Sequence, residues 1–299
     1  VMGTVLRHGS DEQKQQYLPK VADGTFRLQA FGVTEPTAGS NTTMIKTKAE
    51  RDGDTYKING QKIWTSRAEY SDLMVLLART TPIDDVEDRL QGLSTFLVEM
   101  RKPDGSLIDG LTINPIDTMM NHSTTEVFFD NVEIPASALI GEEGNGFRQI
   151  LGGMNAERIL IASECIGDAK FFLEKASAYA NERVVFDRPI GMNQGVQFPL
   201  AKAQVHMEAA DLMRWKACDL YDAGESCGAE ANMSKFLASN ASWEAGNAAM
   251  DTHGGFGFAA EYDIERKLRE TRLYQVAPIN NNLILAFVAQ KRLGLPKSY

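Results

Sequence analysis

Two short segments of this chain carry residues suited to holding a flat, electron-rich ligand. Thr34-Glu35-Pro36-Thr37-Ala38-Gly39-Ser40 is predicted as a strand that runs into a Pro/Gly turn and ends on a hydroxyl. Such a turn exposes backbone N–H groups and small side chains. Trp64-Thr65-Ser66 then places an aromatic face and two hydroxyls at the end of another strand. A strand tryptophan alone usually packs in a core, but the two segments together predict a site for a planar cofactor.

Three further segments, in the second half of the chain, carry residue types that could bind a ligand. Residues 182–190 follow a predicted helix and lead through Gln194 into the next one. Residues 253–258 end a helix in glycines, where the backbone can approach a phosphate closely, although a glycine cluster by itself is more often a helix C-terminus. Residues 265–272 form a charged, helical approach to the last loop.

Composition narrows the class of protein before any fold is considered. The 299 residues are enough for a large core and two domains, and the net charge of -9 lacks the basic character of a nucleic-acid-binding protein. No run of eighteen apolar residues predicts a membrane span. Three cysteines cannot all pair, which indicates a reducing compartment, and no Cys/His cluster has the spacing of a metal site.

The first 26 residues are predicted to be helical. Ser10-Asp11-Glu12-Gln13 is a capping-box start, the helix it opens should end near Pro19, and Gly24 should close the linker. The first four residues resemble the middle of a helix without a cap and do not match a signal peptide. We therefore expect a fragment that lacks most of an N-terminal helical domain.

The sequence pattern changes to short β-rich runs near residue 27 and to a helical period after residues 141–146. This predicts a β domain over 27–140 and a helical bundle over 141–299. Asp52-Gly53 is a hairpin signal and Asn59-Gly60 a second turn. After residue 146 apolar residues recur at three- and four-residue steps, as expected for four or five long helices. The predicted fold class is α+β, an antiparallel β-sandwich or barrel followed by a four-helix bundle, with strands near 28–34, 44–51, 55–58, 73–78, 95–100 and 126–134.

These motifs, in this order, resemble those of the acyl-CoA dehydrogenase family of FAD flavoproteins over essentially the whole chain. The resemblance also rests on the segments 11–19, 59–64 and 183–194 and on Gly254-Gly255. It implies an additional N-terminal helical domain in relatives. It further implies that Ser40 and Arg158 face the acyl-CoA substrate, and that FAD is held by Phe31, Val33, Thr34, Gly39, Ser40, Trp64, Thr65, Ser66, Arg183, Phe186, Gln194, Gly254, Gly255, Asn280 and Asn282.

The reaction that the resemblance implies is α,β-desaturation of an acyl-CoA thioester, in which a carboxylate removes the α-proton and the β-hydrogen leaves as hydride. In most relatives the base is a Glu in the loop before the last helix. Here that position is Pro278, which has neither a carboxylate nor a backbone N–H. In branched- and long-chain relatives the base precedes an Arg on a helix, and here that position is Glu157.

The residues around Glu157 support this role independently, because Glu157 falls in the apolar stripe of its helix, between Met154 and Ile161. An unpaired carboxylate there should have a raised pKa. The alternative is a buried structural bridge between Glu157 and Arg183 or another cation. For Phe186 the alternative is core packing, and for Arg183 it is an exposed cation at a helix end.

Three functions remain open at this point. The first is an acyl-CoA dehydrogenase of fatty acid metabolism that acts on a branched, bulky or longer acyl chain and passes electrons to an electron-transfer flavoprotein. The second is a flavin oxidase or monooxygenase of the same fold. The third is a catalytically silent FAD-binding subunit of a hetero-oligomer. We expect a homodimer or homotetramer, in the cytoplasm or, in a eukaryote, in the mitochondrial matrix.

Overall fold

The structure is a computed structural model that describes residues 1–120 and 122–298. The chain divides into two compact units. The first comprises Val1–Thr118 and His122–Gly153, and the second comprises Met119–Asn121 and Met154–Tyr299. The large β-sheet lies in the first unit and the long helices lie in the second, and each unit has a hydrophobic core of its own.

An eight-stranded sheet dominates the first unit. Its strands are β1 (Leu28–Gly32), β2 (Lys48–Asp52), β3 (Thr55–Ser66), β4 (Leu73–Arg79), β5 (Leu93–Glu99), β6 (Leu111–Pro115), β7 (Thr124–Pro135) and β8 (Leu139–Ile140). Their order is β6-β7-β3-β2-β4-β5-β8, and β1 pairs with β4 off this path. The pairings of β1 and β2 with β4 are parallel and the others antiparallel, so the sheet is mixed.

The predicted turn at Asn59-Gly60 is wrong, because both residues lie inside β3. The ladder between β3 and β7 shifts register between Ile58 and Gly60, which absorbs the turn-like dipeptide as an irregularity. Gly60 is required there: its φ is +149°, and a Cβ would come within 2.6 Å of the Thr47 Cα. The hairpin at Asp52-Gly53 is confirmed, since Asp52 pairs with Thr55 across the turn.

Three helices belong to the first unit: α1 (Met2–His8), α2 (Asp11–Ala22) and α3 (Gly146–Leu151). The capping box of α2 is confirmed, because the Ser10 hydroxyl accepts from the Gln13 N–H and the Gln13 side chain accepts from the Ser10 N–H. The helix continues beyond Pro19, contrary to the prediction. The Gln13 amide also donates to the carbonyls of Ser137 and Leu139, which ties α2 to the link between β7 and β8 and to the start of β8.

Long helices build the second unit, and small residues allow them to approach closely. Cys165, Ala169 and Ala176 of α4 pack in one core with Ala203 and Ala210 of α5. The helices are α4 (Met154–Glu182), α5 (Gln194–Asp222), α6 (Gly228–His253), α7 (Ile264–Arg272) and α8 (Asn281–Arg292), and a short hairpin of β9 (Val184–Val185) and β10 (Arg188–Pro189) lies between α4 and α5.

Within the described residues, no helix is both long and apolar enough to span a bilayer. The same residues contain no group of three or more His, Cys, Asp or Glu side chains placed to hold a metal ion.

Candidate functional site

The Pro/Gly turn of the first unit is attached to β3 by backbone hydrogen bonds. Glu35 and Ala38 close the turn by exchanging N–H···O bonds of 3.2 and 3.1 Å. The Ile63 N–H donates to the Thr34 carbonyl at 2.9 Å. Strand β3, which carries Trp64 near its end, therefore runs directly beside the turn, and the structure brings the two predicted cofactor segments together.

The end of β3 presents Trp64 outward. The ladder with β7 shifts register between Lys62 and Thr65, so the inward side passes from Lys62 to Thr65 and Trp64 is left outside. Trp64 has a φ of +60° and its side chain is 57% exposed, which excludes the core packing usual for a strand tryptophan. Ser66 is exposed as well. Thr65 is instead buried, and among the described residues its Oγ1 has no hydrogen-bond partner.

The remaining predicted residues of the first unit differ in exposure. Phe31 on β1 is half-buried against the core that includes Val75, while Val33 and Thr34 follow the strand and are half-buried. The turn ends in exposed positions at Gly39, which has no side chain, and Ser40, which has a small one, so the backbone there is accessible. This surface of the first unit thus offers a half-exposed indole ring, two hydroxyl side chains and turn backbone.

In the second unit, Glu157 lies in the first turn of α4 and is half-buried. Burial raises the pKa of its carboxyl group, and the neighbouring Arg158 guanidinium opposes that rise. No ion pair or hydrogen bond joins Glu157 to Arg183 within the described chain, so the proposed bridge between these two residues is absent. The side chain has the electrostatic character expected of a base.

The Arg158 guanidinium has one satisfied and one unsatisfied side. Its Nη1 donates to the Asn155 Oδ1 at 3.0 Å, whereas its buried Nε has no hydrogen-bond partner in the described residues. Burial lowers the pKa of this guanidinium, and Glu157 opposes that shift. An unpaired buried donor costs free energy unless a ligand or water accepts its hydrogen. Arg158 therefore retains one donor for another molecule.

The hairpin after α4 exposes Phe186 and Arg183. Phe186 and Asp187, at its tip, have φ values of +53° and +61°, as the two central residues of a tight hairpin require. Phe186 is 93% exposed, which rejects core packing. Arg183 is exposed, and its guanidinium lies 5.8 Å from the Phe256 ring centre. Gln194 is exposed as the first residue of α5.

The glycines after α6 lie beside an aromatic cluster. His253, the last residue of α6, is buried, stacks on Tyr179 at 4.4 Å and bonds through Nδ1 to the Ala249 carbonyl at 2.8 Å. Gly254 ends the helix with a φ of +56°. A Cβ on Gly254 or Gly255 would meet no atom within 4 Å, so both glycines border open space.

The loop before α8 is held by a buried lysine that the sequence reasoning missed. Lys235 is fully buried, and its Nζ donates to the Ile279 carbonyl at 2.8 Å and to the Asn281 Oδ1 at 2.9 Å. Asn280 caps α8 by accepting from the Leu283 N–H at 2.9 Å, and Asn282 is exposed. Lys235 was detectable, because it takes a position in the buried stripe of α6 that small residues otherwise fill.

Burial lowers the pKa of Lys235 to about 8, with Cys165 opposing and Arg158 adding to that shift. The residues before α8 therefore depend on one buried amine whose two hydrogen-bond acceptors are neutral. Pro278, in the usual position of the base, lies in this loop and is half-buried.

Two family profiles match the sequence. Residues 30–132 match "Acyl-CoA dehydrogenase, middle domain", and residues 144–291 match "Acyl-CoA dehydrogenase, C-terminal domain". The acyl-CoA dehydrogenase FadE12 of Mycobacterium tuberculosis is 37% identical over 304 residues, which cover 100% of this chain and 76% of that protein.

Solved structures agree with the family profiles. An acyl-CoA dehydrogenase from Geobacillus kaustophilus has a TM-score of 0.92 at 29% identity, covering 99% of this chain and 76% of that one. A chain from the structure titled "Electron transferring flavoprotein of Acidaminococcus fermentans" has a TM-score of 0.89 at 31% identity, covering 97% and 74%. The chain described here belongs to the acyl-CoA dehydrogenase family, whose members are FAD-dependent oxidoreductases that act on CH–CH bonds.

The residues present fit FAD. Trp64 leaves its ring face accessible to a planar group, and Ser66 supplies a hydroxyl next to it. In the second unit, the open space at Gly254 and Gly255 allows close approach to the backbone, and the exposed guanidinium of Arg183 suits a pyrophosphate. These are the residue types that the family resemblance assigned to the cofactor.

Proposed function

We propose that this protein desaturates an acyl-CoA thioester between its α and β carbons, with Glu157 as the base. The observation that carries the proposal is the environment of Glu157, a half-buried carboxyl group whose pKa is raised by burial and whose direct sequence neighbour is Arg158. A base that works near neutral pH needs a pKa above the ordinary value of a carboxyl group. Glu157 also replaces the function that Pro278 lacks.

The roles of the other residues follow from their chemistry. Glu157 accepts the α-proton at a carboxylate oxygen, and Arg158 offers its unsatisfied Nε–H to the substrate. Ser40 lies on the acyl-CoA side of the turn. When bound, FAD supplies the redox chemistry by accepting the β-hydrogen as hydride. Because Pro278 has no N–H, a donor other than the amide at this position polarises the thioester carbonyl.

The location of the base favours a branched, bulky or longer acyl chain, and an electron-transfer flavoprotein is the proposed electron acceptor. The support for the acceptor is the similarity to the chain from the structure titled for such a flavoprotein. We further propose a homodimer or homotetramer in the cytoplasm, or in the mitochondrial matrix of a eukaryote.

The decisive experiment measures flavin reduction by acyl-CoA thioesters in single-turnover mixing of the FAD-loaded, full-length protein. Replacing Glu157→Gln should slow reduction by about 10²–10⁴-fold, the usual contribution of a general base. In the unchanged protein the rate should rise with pH through an apparent pKa above that of an ordinary glutamate. Glu174→Gln, an exposed position on the same helix, is the matched control. Normal reduction by the Glu157 variant would remove this residue from the mechanism.

Pro278 favours a second candidate, a catalytically silent FAD-binding subunit of a hetero-oligomer. In that case the unchanged protein binds FAD, but no thioester in a panel of differing length and branching bleaches the flavin. Co-purification with a second, Glu-bearing homologue would support this reading. If instead the reduced protein reoxidises rapidly in air, the electron acceptor is oxygen and the protein is an oxidase.

A further inference from the structure

A buried ion pair lies directly behind the Pro/Gly turn of the first unit. Lys62 on β3 is fully buried and Glu35 in the turn is 5% exposed, and their Nζ and Oε1 atoms are 2.8 Å apart. Lys62 occupies an inward position because it continues the alternation of the buried residues Tyr56 and Ile58. Neither charged residue is among those that the sequence assigned to the cofactor.

Each charge has several defined partners besides the other. The Glu35 carboxylate accepts from the backbone N–H groups of Lys46 at 2.6 Å and Thr47 at 2.9 Å. The Lys62 ammonium also donates to the Val33 carbonyl at 3.0 Å. The pair therefore fixes backbone on three segments: β3, the residues just before the turn, and the residues leading into β2.

The location of these bonds matters more than their number. Val33 and Thr34 are predicted cofactor residues, and Thr34 accepts the Ile63 N–H at 2.9 Å. Lys62 and Ile63 immediately precede Trp64 on β3. The two segments that should hold the flavin are thus joined by one side-chain bond and one backbone bond at adjacent residues.

Stability alone is a poor explanation for such a pair. Removing two charges from water is costly, and an apolar pair of similar volume is often equally stable. What an apolar pair cannot supply is direction: hydrogen bonds to the Val33 carbonyl and to the Lys46 and Thr47 amides define where these backbone groups lie.

We infer that Glu35 and Lys62 are positioning residues of the cofactor site, which hold the Val33–Thr34 backbone at a fixed distance from the strand end that carries Trp64 and Ser66. The inference rests on the proposed function, because it takes these two segments to bind FAD. The pair acts through the backbone of its neighbours, behind the surface that they present.

The test compares two double variants of the full-length apoprotein titrated with FAD. Glu35→Gln/Lys62→Met removes both charges of the buried pair at once. Lys57→Met/Glu133→Gln removes an exposed pair of 3.7 Å that also involves β3. The buried variant should bind FAD about tenfold more weakly, the scale on which supporting partners act, and the visible circular dichroism of its bound flavin should change. The control should leave both unchanged. An unchanged dissociation constant and spectrum in the folded buried variant would overturn the inference.

Hydrogen exchange of the apoprotein gives a readout that needs no cofactor. The amides of Lys46, Thr47 and Ile63 should exchange faster in the buried double variant than in the control, and equal exchange would contradict the inference. If the double variant does not fold, Glu35→Asp, which keeps the charge but shortens the reach, replaces it in both measurements. If the unchanged protein itself binds no FAD, the proposed function fails, and faster exchange alone would then assign the pair a purely structural role.

Discussion

Each unit of the molecule uses one fully buried lysine to hold backbone beside its functional residues, but the two lysines are neutralised differently. In the first unit Lys62 binds the Val33 carbonyl and has Glu35 as a charged partner. In the second unit Lys235 binds the Ile279 carbonyl and the amide oxygen of Asn281, both neutral. Burial lowers the pKa of both amines, and only Lys62 has a carboxylate that opposes the shift by charge–charge attraction.

Because of this difference, the two backbone segments should respond differently to the loss of a charge. Removing one member of a buried ion pair is strongly destabilising, because the remaining charge is left without a partner in a poorly solvated place. A buried amine with neutral acceptors can lose its proton and still donate hydrogen bonds. The turn that should hold the flavin has the first kind of support, and the loop that contains Pro278 has the second.

The largest effect is expected for Lys62→Met alone, which strands the Glu35 carboxylate. The free energy of unfolding should fall by about 3–5 kcal/mol, as for other broken buried pairs. Chemical denaturation followed by far-UV circular dichroism measures this loss. Adding Glu35→Gln should restore part of the lost stability. If the second substitution lowers the free energy of unfolding further, the two charges are not coupled as described.

A smaller loss is expected for Lys235→Met. The Ile279 carbonyl and the Asn281 side chain lose a donor, which typically costs about 1–3 kcal/mol, but no charge is stranded. The same denaturation measurement applies, with Lys291→Met in the last turn of α8 as an exposed lysine control. Equal losses in the free energy of unfolding for Lys62→Met and Lys235→Met would contradict the distinction between a lysine with a charged partner and one with neutral partners.

The pH dependence of stability sharpens the comparison further. Lys235 has a pKa of about 8 when folded against 10.5 ordinarily, so between these values the unfolded chain holds more protons. Stability should therefore rise with pH across this window, by up to about 1.4 kcal/mol per pH unit from this residue. Burial lowers the pKa of Lys62 to about 8 as well, so Lys62 should contribute to the same rise. Lys235→Met should flatten the rise when denaturation is repeated from pH 7.5 to 10. An identical slope in the variant would mean that Lys235 keeps its ordinary pKa.

The smallest effect is expected for Lys57→Met, whose partner Glu133 lies across the same sheet but in solvent. Exposed pairs contribute about 0–1 kcal/mol, and added salt screens them. Thermal melting with and without 0.5 M salt, on the order of several times physiological ionic strength, should show almost no difference from the unchanged protein. A loss as large as that of Lys62→Met would show that exposure does not distinguish the two pairs.

Much of the fold could be read from local patterns. The capping box at Ser10, the hairpin at Asp52-Gly53 and the helical stripes of α4, α5 and α6 are short-range features with few alternatives. Strand β6 (Leu111–Pro115) was missed, since it is short and half polar. The parallel pairing of β1 with β4 was also missed, because residues far apart in the chain decide it.

The candidate site was predictable in its residue types but not in its geometry. Ordered motifs identified the segments around Thr34, Trp64 and Arg183 through their family resemblance. Strict alternation would have buried Trp64 beside Lys62, and the register shift in the ladder reverses that outcome. Neither Lys62 nor its partner Glu35 was identified as buried from the sequence, because the predicted strand ended at residue 58 and β3 continues to Ser66.

By itself, the sequence determined the class of protein, the order of its elements and the absence of a carboxylate at position 278, because these depend on residue identity and near-neighbour spacing. Only the tertiary structure decided which side chains face water and which polar groups meet in the core, because those outcomes depend on ladder register and on contacts between distant segments. Lys62 and Lys235 show why: a lysine is ordinarily a surface residue, and only the packed surroundings make it a buried anchor.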